Sequence, residues 1–67
     1  MTHAEQTEKM RATARALSTA QVVAGVKRLG GGRLPTAETW TRAILIDVYA
    51  ERAGEAAADL LMDQIGL

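Results

Sequence analysis

The chain has no cysteine and no phenylalanine, and it holds one proline, one histidine, one tryptophan and one tyrosine. Without cysteine there is no disulfide framework and no thiolate metal site. The single histidine, His3, stands beside Glu5 near the start and reads as a solvated side chain at a frayed end. Nothing supplies a second imidazole, so neither a metal set nor the usual nucleophile–base pairs can be assembled. The expectation is no catalytic residue, no metal and no cofactor. No run of 18 apolar residues exists, which excludes a membrane-spanning helix. The opening Met1-Thr2-His3-Ala4-Glu5-Gln6 lacks the basic start and apolar stretch of a secretory signal. The expected home is therefore cytoplasmic. Charge of one sign is also missing: eight Lys plus Arg face eight Asp plus Glu. Free-standing nucleic-acid binders usually carry a large positive balance.

What is present is short and rich in alanine. Of 67 residues, 48% are hydrophobic, and 13 of those are alanine. One small domain, residues 1–67, is all this length allows. So small a core sets little buried surface against the ordering entropy, and oligomerisation is the remaining source of stability. Six Arg against two Lys, with the Ala and Gly bias, fit a GC-rich bacterial or phage genome.

The chain punctuates itself into helices, and no strand-like alternation stands out. Thr2 and Glu5 have capping-box spacing, so a helix over 3–17 is expected, with Met10, Ala14 and Leu17 on one thin face. Ser18 and Gln21 form a second capping box, with Leu17 and Val22 as the hydrophobic staple. That predicts a helix over 19–29 carrying Val22, Val23, Val26 and Leu29. Gly30-Gly31-Gly32 ends it. The segment Gly30-Gly31-Gly32-Arg33 lacks the phosphate-loop pattern and has no strand before it, so it reads as a hinge. Pro35 biases Leu34 away from helix, and Thr36 is the expected N-cap of a third helix over 37–53. Gly54 is expected to close it before a fourth over 55–65, which turns Leu60, Leu61 and Ile65 inward. A continuous helix over 37–65 is the rival.

The third helix is apolar over an arc on the order of 240° at about 100° per residue, where resting on one core needs little more than 100°. Trp40, Ile44 and Val48 cluster, Leu45 and Tyr49 lie further round, and Ile46 is nearly opposite Ile44. Trp40 and Tyr49 point about 180° apart. This breadth predicts a second burial partner, most simply the same helix of another copy. The fold class is thus all-α, a small bundle of three to four short helices completed by homodimerisation. Trp40, Ile44, Leu45, Ile46, Val48 and Tyr49 are the expected dimer or partner interface.

Net neutrality hides a segregation. Residues 1–34 hold six cations and two anions; residues 35–67 hold two cations and six anions. Asp47, Glu51, Glu55, Asp59 and Asp63 recur every four residues. In one unbroken helix they would form a ridge of like charges, each pair mildly repulsive. Either it is a solvated face interrupted at Gly54 and partly neutralised by the basic half, or it is an acidic recognition face for a basic partner.

The functional expectation is a non-enzymatic protein–protein interaction module. It fits a small phage- or plasmid-type accessory or inhibitor protein that binds itself and a host protein such as a transcriptional regulator, with no small-molecule substrate. The alternative is a dimeric helix-turn-helix DNA-binding regulator. Helix 37–53 would then be the recognition helix, with Arg28, Arg33, Thr39 and Arg42 contacting DNA. Against that stand the six-residue connection, long for such a turn, and Glu38, which would face phosphates.

Overall fold

The computed structural model describes residues 2–67, and all regular structure in them is helical. Four helices follow one another: α1 (His3–Arg15), α2 (Thr19–Leu29), α3 (Thr36–Ala53) and α4 (Glu55–Gln64). Both expected capping boxes form. The Glu5 amide donates to Thr2 Oγ1 at 3.1 Å, and the Thr2 amide donates back to Glu5 Oε2 at 3.4 Å. The Gln21 amide donates to Ser18 Oγ at 3.1 Å, and the Ser18 amide to Gln21 Oε1 at 2.8 Å. Because Ser18 must be extended to cap α2, α1 stops at Arg15 rather than Leu17. The start of α3 also shifts. Pro35, not Thr36, is its N-cap, with no side-chain capping bond. The Pro35 carbonyl accepts from the Thr39 amide at 2.9 Å.

Gly54 alone separates α3 from α4. Its φ of 94° and ψ of 161° lie where a side chain is strained. Its amide still donates to Ala50 O (2.9 Å), and its carbonyl already accepts from Ala58 (3.1 Å). One residue thus ends one helix and opens the next, so the continuous-helix rival does not form.

Cross-helix contacts fix the directions. His3 meets Trp40, Arg11 meets Asp47 and Arg15 meets Glu51, all at a separation of 36 or 37 residues. A constant offset means that α1 and α3 run parallel. Thr19 meets Arg52, and Gly30 meets Arg42. Numbers that rise on α2 while they fall on α3 make that pair antiparallel. The end of α4 returns to the glycine loop. There Gly31 lies so close to the Ile65 carbonyl that a Cβ could not fit.

The helix α3 is the hub on which α1, α2 and α4 each pack. At about 100° per residue, the groups meeting α1 (Trp40, Asp47, Glu51), α2 (Leu45, Arg52) and α4 (Ile46) lie roughly a third of a turn apart. That arrangement covers the wide apolar arc from within one chain. Ile44, Leu45, Ile46 and Val48 are buried, Ile46 at 9% exposure. Trp40 and Tyr49 are half-buried against the same core. Four of the six expected interface side chains are thus buried within one chain and two are half-buried, so the breadth of the arc does not by itself require a second copy. Small faces suffice because buried Ala14 and Ala58 let α1 and α4 approach closely. The Cα radius of gyration is 11.5 Å, against about 11 Å for a compact chain of this length.

Candidate functional site

The expected DNA contacts separate into used and free groups. Arg42 is buried at 9% exposure. Its Nη1 donates to the Gly30 carbonyl at 2.6 Å and to the Gly32 carbonyl at 2.9 Å. It ties the glycine loop to α3 and is not free for a phosphate. Thr39 is exposed, and its hydroxyl donates to Leu34 O at 3.2 Å. Arg28 and Arg33 are exposed. The helices α2 and α3 run in opposite directions and are joined by a segment longer than the three or four residues usual in a DNA-reading pair. Core packing also occupies much of the would-be recognition helix α3.

A second arginine does for the first turn what Arg42 does for the second. Arg52 Nη2 donates to Arg15 O at 2.8 Å, and Nη1 to Thr19 Oγ1 at 3.4 Å. It satisfies a carbonyl at the end of α1 and holds the start of α2. His3 is exposed, as expected, and also stacks on Trp40 with ring centroids 4.6 Å apart and planes 5° apart.

The acidic series splits at Gly54. On α3, Arg15 grips Glu51 with two hydrogen bonds, Nη2 to Oε1 at 2.8 Å and Nε to Oε2 at 3.2 Å. Arg11 lies 3.4 Å from Asp47 and 3.8 Å from Glu51. The hydrogen bond from Arg15 holds the Glu51 carboxyl below its ordinary range, and the same bond raises Arg15. On α4, Glu55, Asp59 and Asp63 are exposed, and no ion pair reaches them among the described residues. The half of the ridge beside α1 is neutralised and the other half faces solvent.

One concavity is a feature the sequence did not announce. A groove of about 560 Å³ runs between α1 and α3, on the flank of α3 that faces α2. Met10, Ala14, Leu17, Ile44 and Leu45 give it an apolar floor, and Gln6, Lys9, Thr13 and Thr41 form its rim. It exists because α1 leans on α3 while packing little on α2. Gly25 on α2 offers no Cβ, and one placed there would crowd the Leu45 side chain at 3.2 Å. Met10, Ala14 and Leu17 are the stripe that the sequence marks as the apolar face of the first helix. The stripe was visible, but that it forms one wall of a gap was not. Lys9 is the one ionic group on the rim. Among the described residues no group of three His, Asp or Glu side chains converges as metal ligands, and no helix is long and apolar enough to cross a membrane. Comparison with protein-family models, with curated proteins and with solved structures gives no match.

Proposed function

We propose that the chain is a non-enzymatic protein–protein interaction module, a small accessory or inhibitor protein that captures a host protein such as a transcriptional regulator. The carrying observation is the groove. It is apolar, open along one side and rimmed by one cation and three neutral polar side chains. Those features suit an amphipathic helix that lays its apolar face into a hydrophobic slot. The docking surface on this reading is half-buried Met10 and Leu17 over a floor of buried Ile44 and Leu45, not the all-round surface of α3.

Photo-crosslinking tests this in bacterial cells. A crosslinking amino acid in place of Thr13, on the groove rim, is expected to trap a discrete polypeptide. The same group in place of Lys27, exposed on α2, is expected not to. Equal trapping at both positions, or none at either, overturns the reading. The DNA alternative is measured with the same protein by duplex binding across a salt series. A nucleic-acid interface would weaken steeply as salt rises; the expected result is no binding at moderate salt.

A further inference from the structure

We propose that one occupant of the groove is α4 of a second copy, so that the protein associates head to tail. This rests on the groove being a docking surface and names a partner for it. Two faces of the molecule are complementary in shape, polarity and charge. One is the groove. The other is the outer side of α4. With Ala58 and Leu61 buried against the core, Ala56 and Leu60 turn outward, and Leu60 is 60% exposed. Asp59 and Asp63 border this small apolar ridge on one side at about 100° per residue, and no cation of the same chain pairs with them among the described residues. The groove offers the counterpart, an apolar floor with Lys9 on the rim. At 1.5 Å per residue α4 is about 15 Å long and α1, the groove wall, about 20 Å, so the ridge fits along the wall.

The placement of the faces decides the symmetry. On α3 the groove is lined by Thr41 at the rim and by Ile44 and Leu45 in its floor. Ile46, which lies beside Met62 and Leu67, stands roughly 150° round α3 from the middle of that floor at about 100° per residue. Ridge and groove therefore lie on opposite sides of the molecule. A twofold dimer needs one patch that matches itself. Two different patches on opposite sides give heterologous contacts, which extend into chains or close into rings.

Sedimentation of the purified chain tests this from roughly 10 µM to 1 mM, where weak contacts show. At low salt the weight-average mass is expected to rise past twice the 7.2 kDa monomer. It should fall back at about 0.5 M salt, where charges are screened within a few Å. Leu60→Asp spoils the ridge alone, and Lys9→Glu with Thr13→Glu spoils the groove alone. Each variant should be monomeric with an unchanged helical spectrum. Mixed, they should form a one-to-one pair that grows no further, because one intact ridge meets one intact groove. A wild-type chain that stays monomeric overturns the proposal. A twofold dimer that the mixed variants fail to restore overturns it equally. Neither result touches the docking reading while the Thr13 position still traps a foreign polypeptide in cells.

Discussion

Arg42 shows how much one side chain can hold. Its guanidinium satisfies the Gly30 and Gly32 carbonyls from a nearly buried position. Arg42→Met keeps the stem but leaves both acceptors without that donor. Hydrogen bonds to charged groups contribute about 1.5–3 kcal/mol, and a loss of that order is expected in denaturant unfolding. The Glu51 grip has a pH signature. Its carboxyl sits below the ordinary value because Arg15 hydrogen-bonds the charged form. The folded state therefore gains from Glu51 above the unfolded carboxylate value of about 4.3. That gain disappears as pH falls through the lower folded value. Trp40, the only tryptophan and the stacking partner of His3, reports α1 docking by fluorescence. The expected outcome is a change in emission below about pH 4.5 that Arg15→Ala removes. Neutralisation of the acidic series by the basic half, as in the Arg15–Glu51 pair, was among the expectations, but the roles of Arg42 and Arg52 in holding the two turns were not legible beforehand. Each depends on a turn folding back onto α3, and no spacing in the sequence encodes that.

The helices were largely readable, for a physical reason. The signals that start and stop them are local: Thr2 with Glu5, Ser18 with Gln21, the glycines after Leu29, and Gly54. The exceptions are also local, since Pro35 replaces Thr36 as cap and Ser18 shortens α1. Gly54 is the most exacting junction. Gly54→Ala meets no neighbour, because nothing lies within 4 Å of the added carbon. The cost is the backbone's alone, and strained conformations of this kind cost of order 1–3 kcal/mol. Thermal or denaturant melting should show that loss with an unchanged cooperative transition.

How the helices surround α3 was not legible. A broad apolar arc is satisfied by one chain or by two depending on how closely neighbours approach, and alanines set that distance through contacts remote in sequence. Ile46 is the test of this packing. It is buried inside the single chain, so Ile46→Asp puts an unpaired carboxylate in the core. The expected result is unfolding, seen as loss of the helical circular dichroism signal. A folded, stable variant would mean that α4 leaves this position open to water. The parallel run of α1 along α3 has a further consequence. Of α1's side chains only Ala14 is buried, and its main neighbour lies some 36 residues away in the chain. Amide exchange should therefore be fastest there among the four helices, since scarce burial lowers the free energy of local opening. That strut is also one wall of the slot. A guest seated in it would clamp shut the part of the molecule readiest to come loose, so that recognition and local ordering become a single equilibrium.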